Sequence, residues 1–338
     1  MRERLRRAAR WLAVVATFGM FIVLVMGSTV TSTGSGAGCG QSWPLCNGRF
    51  IPEFAVTTAI EFSHRAVTGV EGLLIVGTAI GAVAFWRRRF EIRVLVPLML
   101  LFLVLQAALG ALSVLYPDWW GRDGILALHF GISLVAFAST LLVATTLFEA
   151  DRGIDALRDR VVPPAIRWGV WLLALYTYGV VYLGAYVRHT NASLACLDWP
   201  LCQGSAFPGF TGPVGAVFSH RLSAVFLTLG TLGLLAWCWR VRASRPDLLR
   251  ASGVAVVMLL GQSATGASVV FSRLSLFSSL GHSAVVTLYF GALAYLCLGV
   301  LPRQHALRVR GTTTTADHEI EPIEPMGYPA ARGGARAS

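Results

Sequence analysis

Glu61, Ser63, His64 and Arg65 bring a carboxylate, a hydroxyl, an imidazole and a guanidinium together where an apolar run reaching about Phe85 begins. Hydrocarbon tolerates such groups poorly, at ~2.5–3.5 kcal/mol for one charged side chain at the centre of a span, so their presence calls for a chemical reason. Ser219-His220-Arg221 repeats the last three residues, and His129 and His282 open two further apolar runs. A single imidazole in a span is most simply a hydrogen bond between helices. Four at matching positions point to ligation instead, and imidazoles paired across a helical bundle are a way to hold haem iron. Zinc fits less well, because neither half adds a third or fourth ligand in a helical spacing such as His-x-x-x-His. His189, His305 and His318 suggest no role.

The other reactive side chains divide between the two halves. Glu61 and His64 are three residues apart and share a helix face. The plain reading of Glu61 is an i,i+4 ion pair with Arg65, worth a few tenths of a kcal/mol on an exposed helix. Position 217, which stands 156 residues later, is Val. Ser, His and Arg recur while the carboxylate does not, so Glu61 is the candidate for acid/base work such as positioning or deprotonating a water. Glu71, seven residues beyond His64, is the second candidate. Arg65 and Arg221 either snorkel to the interface or pair with haem propionates through their planar fork. Gln106 and Gln262 read as hydrogen bonds between helices. Cys39 with Cys46 and Cys196 with Cys202 lie in two loops, at spacings unlike zinc or thioredoxin-type sites. A disulfide in each loop is the main reading, either pinning the loop or cycling to pass electrons. Cys238 and Cys297 read as packing residues.

The elements that must position these groups are membrane spans. Hydrophobic residues make up 55% of the 338 and charged ones 13%, which excludes an ordinary soluble domain. Eight apolar runs, near 11–30, 61–86, 94–116, 125–148, 167–187, 215–239, 251–271 and 279–301, each approach the ~20 residues that a bilayer core requires. The net charge of +11 comes from Arg clustered at the termini and in alternate connections. That distribution places both termini in the cytoplasm and explains the basicity by lipid headgroups rather than nucleic acid. No cleavage site follows the first run, so it is expected to be retained. Trp43-Pro44-Leu45-Cys46 and Trp199-Pro200-Leu201-Cys202 are 156 residues apart, as are His64 and His220, Gln106 and Gln262, and Gly110 and Gly266. His129 and His282 are 153 apart. The expected fold is therefore all-α: two four-helix halves, parallel repeats about a pseudo-two-fold axis along the membrane normal.

Together these motifs resemble the haem A synthase family. The resemblance is carried by Thr-Gly-Ser-Gly-Ala-Gly-Cys-Gly (33–40), Trp-Pro-Leu-Cys (43–46), Glu-Phe-Ser-His-Arg (61–65), Leu-Gln-Ala-Ala-Leu-Gly-Ala-Leu (105–112) and Ala-Leu-His-Phe-Gly (127–131). The second half adds Gly-Ala-Tyr-Val-Arg-His-Thr (184–190), Ser-His-Arg (219–221), Leu-Gly-Gln-Ser-Ala-Thr-Gly (260–266) and Gly-His-Ser (281–283). It implies an enzyme that oxidises the C8 methyl of haem O to a formyl group with oxygen from water. Substrate haem O would be held by His64 and His129 in residues 11–148, and a haem B cofactor by His220 and His282 in residues 167–301. Glu61 resembles the catalytic carboxylate. A basic N-terminus (1–10), a linker (149–166) and a disordered tail (302–338) would face the cytoplasm of a bacterial inner membrane, with the Cys loops and ligands toward the outer face. The implied partners are the bilayer, haem O synthase and a quinone or other electron acceptor, with homo-oligomerisation left open. A di-haem electron-transfer cytochrome would need the four His but not a carboxylate in one half. A disulfide-exchange protein would need the Cys but not the His.

Overall fold

In hydrocarbon an apolar run can satisfy its own backbone only as a helix or in a closed barrel. A computed structural model describes residues 1–116, 122–150, 158 and 160–301, with the side chains of 122 and 123 excepted. Among the described residues eight helices are long and apolar enough to cross a membrane. They are α1 (Arg2–Ser32), α2 (Val56–Trp86), α3 (Phe90–Leu115), α4 (Arg122–Glu149), α5 (Pro164–His189), α6 (Gly212–Arg240), α7 (Pro246–Phe271) and α8 (Leu276–Val300). Extended pairing among these residues is confined to two isolated bridges, Cys46 with Arg49 and Cys202 with Ser205. The 302–338 tail, with its expected disorder, and most of the 149–166 linker lie outside the described residues.

Local chemistry explains where the helices begin. Proline opens α5 and α7, where its fixed φ suits the first turn and its missing N–H costs nothing. Ser275 caps α8 by accepting the Ser278 N–H. The basic segment 1–10 is not a separate tail: α1 starts at Arg2. Arg is a good helix former, and the first turns are tied down by Arg6 and Arg10 lying 5.1 and 5.4 Å from the Trp86 ring. Helix α2 starts at Val56 rather than near 61, which moves Glu61 from the mouth of the span into its second turn. His189 ends α5 instead of following it in a loop.

Packing joins the helices chiefly in consecutive pairs. Helix α1 packs on α2 and α4, and α3 on α4; α5 packs on α6 and α8, and α7 on α8. Between halves, α1 meets α8, α4 meets α5, and α4 meets α8. The central helices are α4 and α8, 56% and 50% buried along their apolar windows against 17–39% for the others. Small residues let helices approach closely: Gly81 faces Ala9, and Gly291 faces Leu141 and Phe137. Near the loop end Arg188 Nη2 donates to Ser32 Oγ at 3.3 Å, so residues 156 apart in sequence meet between the halves.

Candidate functional site

Each half presents its two imidazoles from the same kind of place. His64, His129, His220 and His282 are the seventh to ninth residues of α2, α4, α6 and α8, about 10–13 Å along each helix at 1.5 Å per residue. Each ring lies against a glycine of the preceding helix. A Cβ on Gly27, Gly110, Gly184 or Gly266 would stand 3.5, 3.4, 2.8 or 3.2 Å from the Cε1 of His64, His129, His220 or His282 respectively. All four residues are half-buried. The Nδ1 atoms of His64, His129 and His220 are sealed off without a hydrogen-bond partner. His64 lies within electrostatic reach of His129, and His282 of His220.

His282 is held differently. Its Nδ1 is 3.1 Å from Thr265 Oγ1, and that hydroxyl donates its one proton to the Gln262 carbonyl at 3.0 Å. In the tautomer with the hydrogen on Nδ1, Thr265 accepts from the ring and Nε2 keeps the lone pair. The Gln262 amide donates to that Nε2 at 3.1 Å. In the first half Leu109 stands where Thr265 does, 156 residues earlier. The Gln106 backbone is close to the His129 ring, and the Gln106 side chain reaches Met20 Sδ at 3.6 Å.

These residues fit a haem in each half. Paired, glycine-cradled imidazoles on facing helices would supply two nitrogen ligands, and with Nδ1 sealed in His64, His129 and His220 and bonded to Thr265 in His282, Nε2 would be the nitrogen to ligate. Among the described residues no group of three or more His, Cys, Asp or Glu is arranged to hold a metal ion.

Glu61 is 4% exposed. Its Oε2 accepts the Cys39 N–H at 2.8 Å, and its Oε1 pairs with Arg65 Nη2 at 2.5 Å. Arg65 also donates to the carbonyls of Ser42 and Leu45 at 2.6 and 2.7 Å. Arg221 repeats the clamp on the second loop through the carbonyls of Pro200, Leu201 and Cys196. Both arginines thus grip the loops, a role that their position after each His did not reveal. Cys39–Cys46 and Cys196–Cys202 are disulfides. Glu71 lies nearly three turns deeper, 3% exposed, with Oε1 unpartnered and its carboxyl against Gly19, apart from the Glu61 network.

The sequence comparisons agree with this picture. The profile of a family described as Cytochrome oxidase assembly protein matches residues 9–294. A Heme A synthase of Symbiobacterium thermophilum is 40% identical over 299 residues, covering 88% of this chain and 96% of that protein. One of Geobacillus kaustophilus is 37% identical, covering 95% and 99%, and one of an Exiguobacterium species 41% identical, covering 83% and 89%.

Proposed function

Since the chain belongs to the cytochrome oxidase assembly protein family, among the haem A synthases, it is an oxidoreductase of haem O, and we propose that its two halves divide that reaction between a substrate site and a cofactor site. Haem O is held by His64 and His129 and haem B by His220 and His282. Both sites and the two disulfide loops lie toward the outer face, and both termini lie in the cytoplasm. When bound, haem B supplies a one-electron acceptor between the substrate and a quinone-type oxidant.

The balance of the reaction assigns work to Glu61. The C8 methyl gains one oxygen from water and loses two protons and two electrons to become an alcohol. A second round gives the gem-diol, which loses water to leave the aldehyde. In sum, methyl plus one water gives formyl, four protons and four electrons. Something must take protons as oxygen is inserted. The Glu61 carboxyl group, held by the Arg65 guanidinium and the Cys39 N–H, has acceptor positions to spare for a water.

The observation that carries this reading is the unequal repeat: the histidine frame is present twice and the carboxylate once, with Val217 in its place. General acid/base groups contribute about 10²–10⁴-fold, so Glu61→Gln should lower haem A formation by that order in membranes supplied with haem O. Chromatography of extracted haems measures it, and undiminished haem A would end the assignment.

A further inference from the structure

The second half fixes one imidazole by a side-chain hydroxyl, and the first half has a leucine at the corresponding position. Histidines that bind metals nearly always donate their other ring N–H to an acceptor, which fixes tautomer and orientation and raises ligand basicity. The Thr265 hydroxyl provides that acceptor for His282, itself anchored on the Gln262 carbonyl. His129 Nδ1 makes no side-chain bond of this kind: only the Gln106 backbone approaches that ring, and the aliphatic side chain of Leu109 offers no acceptor.

We infer that Thr265 is a positioning residue that fixes the His282 ring through Nδ1, with Nε2 turned to the Gln262 amide that a bound haem would displace, and that Leu109 gives His129 no such side-chain hold. One ligand is held ready in the half that keeps its haem, and neither is held in the half that must release one. The inference rests on the proposed placement of haem B in the second half and substrate haem in the first. Thr265 touches neither group and acts only through the ring of His282. The glycine cradles do not account for the difference, since Gly110 and Gly266 stand alike beside the two rings, at 3.4 and 3.2 Å. The glutamines that both halves possess turn differently, Gln262 to the His282 ring and Gln106 to Met20, and three positions beyond them Thr265 stands where the first half has Leu109.

Haem transfer from purified full-length protein to a scavenging apoglobin tests this, together with the midpoint potential of the bound haem. Thr265→Leu should release haem B about 10–100-fold faster, the range by which outer-shell partners alter metal affinity, and should shift the midpoint potential. Thr265→Ser, which keeps the hydroxyl, should stay within about threefold of the parent on the same scale. Leu109→Thr should slow loss of haem from the first half. Parent-like release and potential in Thr265→Leu would overturn the inference. Should that variant fail to fold, unchanged first-half release in Leu109→Thr, which only adds an acceptor, would overturn it instead. His282→Ala separates the two levels of argument: full retention of haem B there would refute the placement of the cofactor, whatever Thr265 does.

Discussion

The two disulfide loops are built alike and rest on different ground. Each contains a cis Trp-Pro bond, at Trp43-Pro44 and Trp199-Pro200, a disulfide, a bridge after its second Cys, and an arginine from the helix below that binds loop carbonyls. Beneath the second loop Val217 packs with Val187, Ala192, Cys196 and Cys202 in a small apolar cluster. Beneath the first, Glu61 bonds the Cys39 N–H and pairs with Arg65. An apolar cluster can hold a loop by burial alone. A buried carboxylate does so only with its partners in place, and such a group is worth keeping where a proton must move. The comparison teaches that the two halves share a loop frame, and one buried carboxylate with its supporting bonds distinguishes the half proposed to do chemistry.

The sharpest break of the comparison is at the ligands. His282→Ala should remove bound haem B altogether. His129→Ala should leave haem B content intact while haem A formation collapses. Pigment extraction and the low-spin haem spectrum of each variant would show it, and equal haem B loss in both would deny the division of labour.

The arginines come next. Arg65→Ala leaves Glu61 buried without its counter-charge, and removing one partner of a buried pair costs about 3–5 kcal/mol. Arg221 loses carbonyl hydrogen bonds that are mostly exposed and the attraction of the solvent-exposed Asp198, whereas Arg65→Ala loses two part-buried carbonyl bonds on top of its buried pair. Thermal unfolding in detergent should therefore fall further for Arg65→Ala. Equal shifts would mean that the Glu61 pair adds nothing to the shared clamp.

Much of this contrast could be read from the residues themselves. Eight spans follow from apolar run length, and the proposed ligand frame from four histidines at the heads of alternate runs. Glu61 stood out because Val217 lacks its charge. What could not be read depends on which way side chains turn. The residue that follows each ligand histidine reads equally well as an interfacial or a propionate-binding arginine, and only the fold shows it reaching back to the loop. Thr265 looks like one more hydroxyl in an apolar run until His282, 17 residues on, is folded against it. Helix α1 starts nine residues before its apolar run for a simpler reason. Hydropathy marks where lipid begins, whereas arginine continues a helix well beyond it.

The disulfides sharpen the comparison by separating stability from activity. The pairs are 7 and 6 residues apart, so on the chain-entropy model Cys46→Ser and Cys202→Ser should each cost about 2.5 kcal/mol. Activity should not follow suit. Loss of the first disulfide frees Cys39, whose N–H donates to Glu61, while the second loop has no such link. Haem A formation per folded molecule should drop in Cys46→Ser and hold in Cys202→Ser; equal loss in both would favour disulfides that cycle with turnover.

The smallest effect concerns acid. Both loops use one side chain to hold the turn after the second Cys. Ser42 Oγ accepts the Gly48 N–H at 3.3 Å, while Asp198, 156 positions beyond Ser42, accepts from Gln203 at 2.7 Å and Gly204 at 2.8 Å. The Gly204 N–H foremost, helped by that of Gln203, holds the Asp198 carboxyl below its ordinary value of 3.8. A depressed carboxylate contributes its stabilisation in full above the unfolded value, and loses it as pH falls through the lower folded one. The second turn should loosen only below about pH 3.8, and the first, held by a neutral hydroxyl, should not respond. Amide exchange corrected for intrinsic rates would show Gln203 and Gly204 losing protection in that window while Gly48 does not. The contribution is small because the group is fully exposed, but its sign is definite, and Asp198→Ser should erase the difference between the loops by giving the second the residue that the first already has.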